Sequence, residues 1–131
     1  HSDKNEFPQA LEKYEEALKI RRELAEENPR TYLPDVALTL SNLAVLHKAK
    51  NEFPQALEKY EEALKIYREL AEENPQKFEI DYARMLIMGV YFFNKAKNDL
   101  KKAKKILDKY RDIHRAKILI DMINQLNEFM R

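Results

Sequence analysis

The chain has 131 residues, enough for one domain with a buried core, and it contains one Gly, five Pro and no Cys. The scarcity of Gly beside abundant helix formers excludes a β-rich fold and phosphate-binding loops, and the absence of Cys excludes disulfides and thiolate metal sites. The net charge of +1 conceals an asymmetry, because residues 1–76 hold 11 basic and 16 acidic residues whereas residues 77–131 hold 13 and 7. No apolar run approaches the ~18 residues of a membrane span, so we expect a helical, cytoplasmic protein without a membrane partner.

The first predicted helix, residues 6–28, lies in a segment that the chain repeats. Residues 1–30 return as residues 47–76, with identity at 26 of 30 positions and a period of 46 residues. Because His1 aligns with His47, we interpret the first segment as the second helix of a truncated repeat. We therefore expect further repeats before residue 1.

This N-terminal helix carries an apolar stripe for which the sequence supplies no earlier partner helix. The stripe contains Ala10, Tyr14 and Ala17 at helical spacing. Large apolar faces are rarely left in water. We expect two copies of the chain to associate through this uncovered helix.

Residues 31–76 form a complete repeat with two predicted helices. The first covers residues 34–50, because Pro34 is typical of a first helical turn. Asn51 is suited to the left-handed conformation that ends a helix, so a tight turn follows. The second helix covers residues 52–74, where a continuous apolar stripe ends at an Asn-Pro pair that disfavours further helix.

Residues 77–114 form a divergent last repeat, and residues 115–131 are interpreted as a C-terminal capping helix. The last repeat has two more residues from Gly89 to Ala103 than the complete repeat has from Ala44 to Ala56, so its turn must differ. No Gly or Pro separates residues 99–114 from the rest of the chain, so one bent helix and two helices both remain open. We favour a cap because stacked repeats need their last apolar face covered.

Small and large apolar residues follow the same spacing in the last two repeats. The first helices read L-x2-L-A-x2-H from Leu40 and M-x2-M-G-x2-F from Met85, and the second helices read A-x3-Y from Ala56 and A-x3-L from Ala103. This spacing resembles the tetratricopeptide repeat, and residues 34–44 are similar to the long-helix variant of kinesin light chain. The resemblance implies an all-α fold, a tetratricopeptide-like (TPR-like) α-solenoid of stacked antiparallel helical hairpins with about two and a half repeats.

The resemblance also implies a function, because such solenoids bind proteins in a concave groove. We therefore interpret the chain as a non-catalytic scaffold for protein–protein interaction that binds a peptide or helical segment. First-helix residues are expected to line the groove, namely Leu38, Ser41, Asn42, Val45, Lys48, Leu86, Val90 and Phe93.

Two of these assignments have alternatives. The amide of Asn42 can donate to and accept from the backbone of a bound peptide, but it can equally bond locally or to water. Leu86, Val90 and Phe93 either suit a hydrophobic ligand or are covered by the C-terminal helix. We favour coverage, because these residues exposed together would reduce solubility.

A basic patch lies on the last helical pair and consists of Lys101, Lys102, Lys104 and Lys105. Such a patch can attract nucleic-acid phosphates or an acidic protein surface. The surrounding sequence has few Arg and few interleaved aromatic residues, so an acidic protein is favoured over nucleic acid.

The sequence contains no recognisable catalytic or metal-binding constellation, and no cofactor is expected. The three His residues, His1, His47 and His114, are far apart and none has the His-x3-His spacing of a helical metal site. His47 stands where the repeat has an aromatic residue, so we expect it to have a structural packing role. Adjacent carboxylates such as Glu61 and Glu62 diverge by ~100° around a helix and form a solvated face.

Overall fold

The computed structural model describes the backbone of residues 3–130 and the side chains of residues 6–130. All regular secondary structure within them is helical, which confirms the predicted all-α fold. The elements are α1 (Asp3–Glu27), α2 (Pro29–Ala49), α3 (Phe53–Glu73), α4 (Pro75–Phe93), α5 (Asn98–Leu107), a 3-10 turn (Asp108–Tyr110) and α6 (His114–Phe129). The chain forms two compact units, His1–Ile66 (unit 1) and Tyr67–Arg131 (unit 2). His1, which the repeat alignment pairs with His47, lies outside the described residues.

In unit 1, α1 packs along α2, and α2 begins earlier than the sequence predicts. The prediction of a start at Pro34 is wrong, because the helix starts at Pro29 and Pro34 lies inside it. Asn28 is the N-cap, and its side-chain oxygen accepts a hydrogen bond from the backbone N–H of Thr31 at 3.4 Å. One Asn-Pro pair therefore ends α1 and also starts α2, because Pro is well suited to the first turn of a helix.

The turn between α2 and α3 is closed by His47 and Asn51. Asn51 has the predicted left-handed conformation, with φ of 63°. The carbonyl of His47 accepts from the backbone N–H of Glu52 at 2.8 Å, and the buried His47 ring donates from Nδ1 to Oε1 of Glu52, also at 2.8 Å. This side-chain hydrogen bond lowers the pKa of the Glu52 carboxyl. The predicted structural role of His47 is confirmed.

A bidentate ion pair joins α1 to α3 within unit 1. The guanidinium of Arg22 donates to both carboxylate oxygens of Glu62, at 2.5 and 3.0 Å. This hydrogen bond is the main reason that the pKa of Arg22 is raised and the pKa of Glu62 is lowered. Paired N–H donors in a planar fork fix the relative position of the two helices at this point.

Unit 2 begins within α3 and contains a second hairpin. Its first helix, α4, starts at Pro75 after Asn74, which is 46 residues beyond the start of α2. It ends at Asn94, which is left-handed with φ of 58°. Four residues then connect α4 to α5, whereas three connect α2 to α3, so the predicted difference between the two turns is confirmed.

The last part of the chain forms two helices separated by a 3-10 turn. Ile113 breaks the helical path with an extended backbone, φ −93° and ψ 127°, although no Gly or Pro is present. A polar cluster anchors the turn to α4, because Glu79 accepts from the Tyr110 hydroxyl at 2.6 Å and from the Lys109 ammonium at 2.7 Å. The other buried contact of this region is the face of α6 that packs on α4 and α5, formed by Ala116, Leu119, Ile120 and Ile123.

The Glu79 cluster shifts the pKa of its two acidic groups in opposite directions. Desolvation raises the pKa of Glu79, but the hydrogen bonds from Lys109 and Tyr110 outweigh it, and the net shift is downward. The hydrogen bond to Glu79 raises the pKa of Tyr110 to about 12. The neutral phenol and the ionised carboxylate therefore stabilise each other. Among the described helices, none combines the length and apolar character needed to cross a membrane.

Candidate functional site

Three of the predicted groove residues share one side of α2. Leu38 and Val45 are 48% and 39% exposed, and Asn42 lies between them and is half-buried. Their spacing of four and three residues places them on one helical face, here called the α2 surface. The opposite side of α2 is held in the core of unit 1, which fixes the position of this surface.

Two other predicted residues of α2 are less available. Ser41 is buried and does not face solvent, which corrects its assignment to a binding surface. Lys48 is half-buried and already engaged in an interaction within the protein. The α2 surface therefore consists of two apolar side chains on either side of one amide.

The predicted groove residues of the last repeat are part of the core of unit 2. Leu86, Val90 and Phe93 are buried, so they do not form a surface for a ligand. The prediction paired Leu40 with Met85, an offset of 45 residues. The helices themselves are offset by 46 residues, because each of them starts at an Asn-Pro pair. An error of one residue turns the assigned positions by ~100° around the helix axis, which places them on the buried side of α4.

With the offset of 46, the counterparts of the α2 surface on α4 are Arg84, Met88 and Tyr91. Tyr91 is 62% exposed and lines a groove of about 500 Å³ with four residues of α6: Met122, Gln125, Leu126 and Phe129. Sequence reasoning missed this groove. The signal that could have found it is the period of the duplicated segment, which is 46 residues. Applied to α4 in place of the offset of 45, this period pairs Val45 with Tyr91 and not with Val90.

The basic patch is partly neutralised by neighbouring groups. Lys101, Lys102 and Lys105 are exposed, whereas Lys104 is half-buried and pairs with Asp108 at 3.3 Å. Lys102 also lies over the ring of Tyr82, with 5.6 Å from Nζ to the ring centroid. Three lysine side chains on α5 are therefore exposed, and one of them, Lys102, has its ammonium against an aromatic ring.

The shifted pKa values of unit 1 and unit 2 arise from hydrogen-bonded pairs that connect helices or close turns. Glu52 bonds His47, Glu62 bonds Arg22, and Glu79 bonds Tyr110. Across residues with described side chains, no group of three His, Cys, Asp or Glu is placed to hold a metal ion. The titratable residues with shifted pKa values therefore have a structural role in this fold.

Paired antiparallel helices that recur every 46 residues define a helical-hairpin repeat protein. The family model described as tetratricopeptide repeat matches residues 1–69, more than half of the chain. The chain therefore belongs to the tetratricopeptide repeat family, whose members generally mediate protein–protein interaction. No curated protein and no solved structure matches the chain.

Proposed function

We propose that this chain is a non-catalytic cytoplasmic scaffold that binds an extended or helical segment of a partner protein on the α2 surface. The observation that carries the proposal is the exposure of Leu38 and Val45 on both sides of Asn42. Apolar side chains that remain exposed on a rigid helix gain free energy when a partner covers them. Membership of a family that binds protein partners supports the same function.

The proposed binding is passive and divides into two contributions. Leu38 and Val45 bury apolar area against the partner, which supplies affinity. The amide of Asn42 donates one hydrogen bond and accepts another from the partner backbone, which fixes the position of the segment without reading its side chains. Because α2 is anchored in unit 1, little conformational entropy is lost on binding.

The test selects binding peptides from a random library displayed on phage and measures their affinity by calorimetry. Asn42→Ala removes both hydrogen bonds and is expected to weaken binding about thirtyfold, since each net hydrogen bond contributes about 1 kcal/mol. Leu38→Asp is expected to weaken it further, because a charge replaces the apolar contact. Gln55→Ala removes an exposed amide on α3 and is the matched control. Peptides that bind both α2 variants like the unchanged chain would refute the proposed surface.

A second candidate function is binding of an acidic partner through the basic patch, favoured by the exposed Lys101, Lys102 and Lys105. Reversing these three charges to Glu is expected to abolish binding of a polyglutamate peptide. Reversal of Lys59 and Lys65 on α3 is the control. A short single-stranded RNA serves as the second ligand, and its binding should fall steeply between ~50 and ~200 mM salt if phosphates are the target. Binding of RNA without binding of the acidic peptide contradicts an acidic protein partner.

We also propose self-association through α1. Its stripe of Ala10, Tyr14, Ala17, Arg21 and Leu24, here called the α1 stripe, has Tyr14 and Leu24 exposed. Sedimentation measured over a range of concentrations tests this proposal. A single species of monomer mass at every concentration contradicts it.

A further inference from the structure

The near-identity of α1 and α3 allows an internal comparison of the same sequence in two environments. Residues 7–20 and 53–66 are identical. Tyr14 in α1 is 36% exposed, whereas its counterpart Tyr60 in α3 is 0% exposed. The five counterparts of the α1 stripe in α3 are all buried, namely Ala56, Tyr60, Ala63, Tyr67 and Leu70. Four of the five α1 stripe residues therefore have the composition of a helix-packing face and are incompletely covered within the described residues. The fifth, Arg21, stands in the place of Tyr67 and donates a hydrogen bond to the Thr39 hydroxyl of α2 at 2.9 Å.

A second apolar face is exposed on α6. Ile118, Met122, Gln125 and Phe129 lie on one side of this helix, here called the α6 stripe, and Phe129 is 87% exposed. Their spacings of four, three and four residues match those of the α1 stripe and are typical of helices that pair side by side. Tyr91 extends this face into the groove of about 500 Å³.

Charge distinguishes the possible pairings of these two faces. Unit 1 has 10 basic and 13 acidic residues, net −3, and unit 2 has 14 basic and 10 acidic residues, net +4. Pairing α1 with α1 brings two negative units together, and pairing α6 with α6 brings two positive units together. Pairing α1 of one copy with α6 of another joins opposite charges, which favours the asymmetric contact.

The charges next to the two stripes support the same choice. Exposed Glu23 and Glu27 flank the C-terminal end of the α1 stripe. Exposed Lys117 flanks the N-terminal end of the α6 stripe, and so does exposed Arg115, which also pairs with Asp81 at 3.3 Å. An antiparallel arrangement places these acidic and basic ends side by side, as in the helical hairpins of the chain itself.

We propose that the α1 stripe of one copy packs antiparallel on the α6 stripe of a second copy, so that the protein associates head to tail. This inference rests on the self-association proposed above and names its second surface. In the repeat order, α6 follows α5 as a first helix follows a second helix, and α1 is a second helix. One α6 and one α1 from two copies thus form a helical pair. Because the two contact surfaces differ, association proceeds beyond the dimer as the concentration rises, into a closed ring or an open chain of copies.

Two variants that each block one surface test the proposal by sedimentation velocity. Tyr14→Glu blocks the α1 stripe and Phe129→Glu blocks the α6 stripe, and both positions are exposed enough to accept a charge without loss of fold. Each variant alone is expected to be a monomer, because its intact surface finds no intact complement. An equimolar mixture is expected to form a dimer of twice the monomer mass and nothing larger. Phe53→Glu on α3 changes another exposed aromatic residue and should associate like the unchanged chain.

The other outcomes distinguish which proposal fails. A dimer of Phe129→Glu alone shows symmetric α1 pairing, and it overturns the head-to-tail arrangement while self-association through α1 stands. A dimer of Tyr14→Glu alone shows symmetric α6 pairing and overturns both. A monomeric unchanged chain at every concentration also overturns both, and it leaves peptide binding on the α2 surface unaffected. Circular dichroism of each variant confirms that its helices are intact.

Discussion

At the residue scale, two Asn residues perform the role that Gly usually has at the end of a helix. Asn51 and Asn94 are the non-Gly residues with positive φ in the described chain. The Asn side chain tolerates the left-handed region better than other side chains do. The sequence predicted this conformation for Asn51, because two strongly periodic helices meet there. It did not predict Asn94, because α4 ends two residues earlier, relative to the repeat, than α2 does.

Replacement of Asn51 tests this role. Asn51→Ala is expected to lower the free energy of unfolding by about 1 kcal/mol, because a Cβ without a compensating polar group disfavours the left-handed region. Asn51→Gly is expected to leave stability nearly unchanged, since Gly adopts this conformation readily. Urea denaturation measures both. Equal stability of the two variants contradicts a backbone origin of the effect.

At the scale of the element, the sequence predicted the helix interiors, but it predicted only some of the helix ends. The predicted helix over residues 52–74 is confirmed by α3 almost to the residue, since its apolar stripe is continuous. The start of α2 was misplaced because Pro34 and Pro29 both suit a first turn. The side-chain cap from Asn28 accompanies the start at Pro29, and Pro34 lies inside the helix. The break before α6 has no Gly or Pro to signal it, although the backbone of Ile113 is extended. The nearby bond between Tyr110 and Glu79 is a tertiary contact that the sequence does not reveal.

The Tyr110 contact predicts a dependence on alkaline pH. The pKa of Tyr110 is raised from 10.0 to about 12 in the folded state, so its contribution to stability is complete below pH 10 and is lost as the pH rises from 10 to about 12. Tyr110→Phe should reduce the free energy of unfolding by about 0.5 to 1 kcal/mol at neutral pH, a modest amount because the hydrogen bond to Glu79 is only partly buried. Urea denaturation at several pH values should show the two proteins converging by pH 12. A difference that persists there, or a similar loss in Tyr32→Phe, contradicts this assignment.

At the scale of the whole molecule, the duplication made the fold and family predictable, but the surface required the structure. A duplicated segment with 26 identical positions in 30 identifies the helical hairpins even when one repeat is aligned to the next with an error of one residue. A binding surface is more sensitive, because a shift of one residue moved the expected site on α4 from Tyr91 to the buried Val90. The prediction for Asn42 was not affected by this shift, because the repeat motif was assigned directly on α2, from Leu40, and was then transferred to α4.

The duplication also affects how the chain folds. In the sequence, α2 lies between α1 and α3, and residues 7–20 of α1 are identical to residues 53–66 of α3. The main difference between them on the stripe is Arg21 in α1 and Tyr67 in α3. During refolding, each α2 therefore meets helices of nearly the same sequence in its own molecule and in its neighbours. Exchange of helices between molecules costs little contact energy, so refolding at high concentration favours domain-swapped species that dilution suppresses.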